Sequence, residues 1–132
     1  LNSIITASIN TTTPLMKSKQ DKVYAYSFNW SQQPYPWNII YGATHAMDIS
    51  FMFGTFDKPS LFSSGYSTAN KPGREALSNA MINSVKSFIR TGDPNNSALG
   101  TTWEKWSPTA GGPKKLIFDA DLTTKKISMS SN

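Results

Sequence analysis

Residues 23–30 read Val-Tyr-Ala-Tyr-Ser-Phe-Asn-Trp (VYAYSFNW). β-Branched and aromatic residues dominate this run, and Tyr24, Tyr26, Phe28 and Trp30 alternate with Val23, Ala25 and Ser27, the two-residue period of an extended strand. Both of its faces are apolar. Strands that read this way are buried on both sides of a sheet, beside parallel neighbours and under helices. The reading therefore predicts an α/β architecture whose further parallel strands this chain does not supply.

Working outward, Thr11 to Thr13 before Pro14 has the form of an N-cap followed by a proline-tolerant first turn, which predicts a short helix from Thr13 to Lys19. Downstream, a loop containing Pro34 and Pro36 runs to about Gly42. GATHAMDISFMFG (42–54) follows, with Ile49, Phe51 and Phe53 alternating with Ser50 and Met52 until Gly54. Ser, Gly and Pro punctuate residues 55–71, an irregular stretch. From Pro72 to Arg90 the apolar residues Leu77, Met81, Val85 and Phe88, widened by Ala80 and Ile89, fall on one helical stripe. Pro72 suits the first turn, Arg90 the negative end and Gly92 a left-handed stop, while Pro94 forbids continuation. Trp103 and Trp106 sit in a turn-rich connection and are expected to plug the helix against the sheet edge. Leu116–Phe118 and Lys126–Met129, joined by 119–125, predict a terminal hairpin. The outline is helix, buried strand, long loop, long helix, hairpin.

Composition narrows the chemistry. At 132 residues the chain holds one domain at most. Hydrophobic residues at 38% rule out a disordered tail, and charged residues at 16% fall short of a typical surface. The net charge is +5, but the cations are scattered from Lys17 to Lys126 without the basic stripe that nucleic acid requires. With no cysteine, disulfide scaffolds, thiol nucleophiles and Cys-zinc sites are excluded. One histidine and no EF-hand loop argue against a bound metal, and nothing implies a cofactor. No apolar run approaches a membrane span and none follows a basic leader. Leu1 is not a natural start, so the sequence is expected to lie inside a longer gene product that also encodes its cellular address. Sequons at Asn10, Asn29 and Asn95 matter only in a secretory pathway.

His45 is the only histidine. A neutral imidazole is the usual general base near pH 7, yet a lone loop histidine is more often a structural or solvent-exposed residue, and taken alone His45 favours that reading.

Four blocks occur in a fixed order: VYAYSFNW (23–30), GATHAMDISFMFG (42–54), SFIRTGDPN (87–95), and the W-x-x-W-S-P then LIFD ending (103–119). Together they resemble the C-terminal quarter of the type-B carboxylesterases, the cholinesterase-like branch of the α/β-hydrolases. The resemblance implies the C-terminal part of an α/β-hydrolase fold (buried strand, His loop, long helix, terminal hairpin), incomplete without its N-terminal part, so that residues 1–132 form the C-terminal segment of one carboxylesterase catalytic domain. It further implies a serine esterase with a Ser-Glu-His triad in which His45 is the base, passing a proton from serine to the departing alcohol and then activating water. Asp48 matches an acidic residue that supports the histidine loop; it serves equally well as a cap of the following turn. Tyr35 and Trp37 lie where family members line the pocket, or they pack a plain surface loop. The family usually has glycine after the histidine, and Ala46 departs from that.

The nucleophile elbow, the oxyanion loop and the triad acid would all precede Leu1. Gly65-Tyr66-Ser67-Thr68-Ala69 imitates an elbow, but Ser67 follows His45 and lacks the strand-to-helix setting an elbow needs. The expected partners are therefore a small-molecule ester and an N-terminal complement of the same hydrolase, which carries the nucleophilic serine and the triad acid. The 132-residue chain alone is expected to be inactive. The alternative is an esterase-like adhesion or scaffold protein that keeps the fold without catalysis and acts by partner binding.

Overall fold

The computed structural model describes residues 2–132, with side chains from residue 10 onward. Its elements run α1 (Asn2–Lys17), β1 (Tyr26–Phe28), α2 (Trp37–Ile40), α3 (Met47–Phe53), a 3-10 turn (Ser63–Gly65), α4 (Lys71–Thr91), β2 (Lys115–Ala120) and β3 (Lys125–Ser130). The three strands form one sheet in the order β1-β2-β3. β1 pairs parallel with β2, Tyr26 opposite Leu116 and Phe28 opposite Phe118, and β2 and β3 form the antiparallel hairpin expected at the end of the chain. One parallel neighbour of the aromatic strand is thus supplied by this chain itself.

The ladder of β1 covers only three residues, and the reason lies in what its flanks bond. Ala25 O accepts from Leu116 N–H and Asn29 N–H donates to Phe118 O, but Val23 O accepts from Trp106 N–H and Ala25 O also from Trp103 Nε1–H at 3.1 Å. The tryptophan segment, not a strand, covers the start of the run. The even-numbered aromatics share one face and pack in a row. Tyr24 and Tyr26 set their edges against Trp103, Tyr26 against Phe118, and Phe28 and Trp30 against Phe51. Ser27 lies on the opposite face with Ile117 and Ser128; on that face Val23 is buried and Ala25 and Ser27 are half-buried.

α3 corrects the alternating reading of residues 49–53. A helix here buries Met47, Ser50 and Phe51, the i, i+3, i+4 face, and leaves Ile49 52% and Phe53 72% exposed. The apparent period of two came from apolar side chains on the outer face. α4 matches the predicted helix within a residue at each end, and Gly92 closes it in the left-handed conformation (φ 72°) with its N–H on Phe88 O. Leu77, Ala80 and Met81 are buried, but Val85, Phe88 and Ile89 are not, although Phe88 still meets Tyr24 edge-on. Its end is tied down by Asn95, whose amide donates to Trp103 O and accepts from Trp103 N–H. The first helix also differs from expectation: α1 begins at Asn2 and carries Pro14 inside it. The proline removes one donor near the C-terminal end, and the last turn is closed by Ser18 and Gln20 N–H on Pro14 and Met16 O.

Gly73 fixes how α4 meets the hairpin. Its N–H donates to Leu122 O at 3.1 Å, and a Cβ there would stand 2.0 Å from Asp121 O, a backbone atom that cannot swing aside. Gly73→Ala is therefore expected to destabilise the protein by about 1–3 kcal/mol, read as a lower urea midpoint at unchanged slope. An unchanged midpoint would show that helix and hairpin can separate freely.

Candidate functional site

His45 lies on the loop between α2 and α3. Two left-handed residues bracket it, Gly42 at φ 53° and Ala46 at φ 66°. Glycine takes this conformation without cost, whereas a Cβ crowds the following carbonyl by about 1–2 kcal/mol. The glycine usual after the family histidine thus has a conformational reason, and Ala46 holds the same conformation under strain. The loop closes with Met47 N–H on Thr44 O and Ile49 N–H on Ala46 O, both at 3.3 Å. His45 itself is exposed, and no hydrogen bond or ion pair reaches it among the described residues.

Asp48, in the first turn of α3, accepts a 2.7 Å hydrogen bond from Tyr26 Oη–H of β1. The bond ties the first turn of the helix after the histidine to β1, the edge strand of this chain's sheet. Burial, then the Asp48 carboxylate, push the Tyr26 phenol well above its ordinary value, so it stays a proton donor to Asp48 through the physiological range.

Before the histidine, Tyr35 projects into solvent at 80% exposure. Trp37 is half-buried and stacks on Tyr41, with centroids 5.3 Å apart and planes 10° from parallel. Tyr41 in turn meets the edge of Phe62. Tyr41 joins Trp37 as an aromatic surface four residues from His45. Gln33, also missed in the sequence, is buried beneath the loop and donates from Nε2 to Gly42 O at 2.8 Å and Met47 Sδ at 3.1 Å. A lone glutamine in a proline-rich loop gives no periodic signal to find it by. Ser67 closes the turn before α4: Asn70 N–H donates to its Oγ while its own N–H donates to Asn70 Oδ1. Among the described residues no three of His, Asp and Glu gather to hold a metal ion, and no helix is long and apolar enough to cross a membrane.

The sequence model of the carboxylesterase family matches residues 2–131. Human bile salt-activated lipase is 36% identical over 119 residues, covering 87% of this chain and 15% of that protein. Acetylcholinesterase of Gallus gallus is 32% identical over 108 residues, covering 76% of this chain and 13% of that protein. A Geobacillus stearothermophilus carboxylesterase superposes with a TM-score of 0.59 at 27% identity, covering 83% of this chain and 20% of that one. The chain thus spans less than a fifth of the length of these two curated relatives, and its architecture is part of an α/β-hydrolase fold.

Two predictions follow the loop geometry. Ala46→Gly relieves the left-handed strain and should raise stability by about 0.5–1 kcal/mol in urea unfolding; a loss would mean the loop is held in that conformation at no cost. Because the Tyr26 phenol is raised in the folded state from an ordinary value of 10.0, its contribution is complete below about pH 10 and fades as pH climbs above it. Tyr26→Phe should flatten the alkaline fall in melting temperature, and an unchanged alkaline slope would count against the Tyr26–Asp48 bond.

Proposed function

The chain belongs to the carboxylesterase family, and from that premise we propose that it supplies the general base, His45, to a serine esterase that hydrolyses small carboxylic esters. In this reading residues 1–132 are the C-terminal segment of one catalytic domain, and an N-terminal complement of the same protein contributes the nucleophilic serine and the triad glutamate. One imidazole nitrogen accepts the serine proton as the oxygen attacks the ester carbonyl, while the glutamate holds the other nitrogen's proton and stabilises the imidazolium that forms. The imidazolium then protonates the departing alcohol, and the base repeats the cycle with water to free the acid. Asp48 holds the loop through Tyr26 rather than acting as the triad acid. Trp37 and Tyr41 border the pocket on the side of this chain, with Tyr35 at its rim.

The observation that carries this reading is an exposed imidazole on a loop whose backbone is fixed on both sides, with neither ring nitrogen engaged among the described residues. A base prepared to meet two groups from elsewhere would look like this. Ser67 is already committed to the turn before α4, which argues against it as the nucleophile.

In the full-length esterase, His45→Ala should lower kcat for p-nitrophenyl acetate by about 10⁴-fold or more while binding of the ester changes little. Residues 1–132 alone should hydrolyse it no faster than free imidazole. Activity retained by His45→Ala, or turnover by the isolated chain that a serine-directed phosphonate abolishes, would overturn the assignment.

A further inference from the structure

We propose that Gln33 is a positioning residue for His45, holding the histidine loop from beneath by both of its flanks; the inference rests on the reading of His45 as the base. Gln33 is 4% exposed. Its Nε2 donates to Gly42 O, three residues before His45, and to Met47 Sδ, two residues after it. One amide group therefore joins both ends of the segment that carries the imidazole. The loop's own turn bonds are 3.3 Å long, so the Gly42 contact at 2.8 Å is a shorter polar tie than either of them.

Gln33 is itself firmly seated. A Cβ on Gly65 would come within 2.9 Å of Gln33 Cγ, so the glycine opens the space the glutamine fills. Asn70, fully buried, donates from Nδ2 to Gln32 O at 2.8 Å and to Gly65 O at 2.9 Å, gripping the residue before Gln33 and the glycine against which it packs. Arg74, 6% exposed, donates from the first turns of α4 to Asn70 Oδ1 and to Ser67 O. The polar chain thus runs from α4 through Asn70 to Gln33 and on to the histidine loop. Gln33 also carries a cost. Among the described residues its Oε1 is buried without a hydrogen-bond partner, and an unsatisfied buried acceptor is worse for stability than an apolar group of the same shape. A side chain that pays this penalty while placing both its donor contacts on the histidine segment is spent on position, not on packing.

Displacing a catalytic group by about 1 Å costs on the order of 10²-fold in rate. The test uses two variants of the full-length esterase. Gln33→Met keeps the volume and removes both donors. Gly65→Ala leaves the amide intact and pushes on Cγ. Both should lower kcat for p-nitrophenyl butyrate by about 10²-fold with KM unchanged, and the fall in kcat should exceed anything accounted for by folded fraction in a melting curve. Unchanged kcat in folded Gln33→Met, or kcat and KM shifting together in step with the melting temperature, would overturn the inference. If Gln33→Met does not fold, Gly65→Ala decides by the same readout, and Gln33→Glu, which faces Gly42 O with an acceptor, is the second arm. His45→Ala run alongside separates the two proposals: an inactive His45→Ala with fully active Gln33 and Gly65 variants sinks only the positioning role, whereas an active His45→Ala sinks both.

Discussion

Tyr26 and Leu116 stand ninety positions apart in sequence and side by side in the parallel ladder, and the rest of the chain is arranged by closing that distance. A parallel pair cannot be made by a tight turn; it requires a crossover that leaves the sheet and returns. Here the crossover contains α2, the histidine loop, α3 and α4, so the same pairing that builds the sheet delivers His45 to the region beyond the end of β1. The closure is sustained by aromatic packing. Phe51 from α3 is fully buried among Phe28, Trp30 and Phe56, and burying one such ring contributes about 1.5–3 kcal/mol. Trp103 does the corresponding work at the other end, between Tyr24, Tyr26 and Phe118.

Onto this apolar closure the chain adds a few polar contacts of high directional content. Ser78 Oγ–H on Phe51 O joins α4 to α3 at 2.7 Å, Tyr26 joins β1 to the turn after the histidine, and Asn95 locks the end of α4 to Trp103. At the exposed rim, Asp21 receives Lys105 and Lys17, which hold its carboxyl down at about 2; a pair so open to water orients the end of α1 more than it stabilises it. The buried contacts share a property that apolar packing lacks: each allows only one geometry. Two such contacts, Gln33 on Gly42 O and Tyr26 on Asp48, flank the loop that carries the imidazole.

Much of this was legible in the sequence where periodicity and composition agree. The long helix was bounded by Pro72 and Gly92, the hairpin by its two apolar runs, and β1 by its aromatics. The order of four blocks pointed to the family and to His45 and Asp48. The two Trp103–Asn95 bonds give the linked motifs around residues 95 and 103 a physical basis, since the asparagine and the tryptophan backbone are one interaction. What misled was local ambiguity. Ile49, Phe51 and Phe53 alternate with Ser50 and Met52 as in a strand, although the helix buries Met47, Ser50 and Phe51 instead, and Pro14 resembled a helix start while lying inside one. Gln33, Tyr41 and Tyr26 as supports of the site could not be read at all. Their roles arise from contacts across loops and between a strand and a helix, where no spacing rule applies.

The claim at the centre of this account is that the imidazole of His45 meets a serine from outside these 132 residues. A crystal structure of the full-length esterase after reaction with a serine-directed phosphonate tests it without reference to rates. The account predicts phosphonate on a serine upstream of Leu1, with a ring nitrogen of His45 within about 3.2 Å of that serine's Oγ and the loop still tied through Gln33 and Asp48. A modified serine attended by a different histidine, with His45 facing solvent, would contradict it.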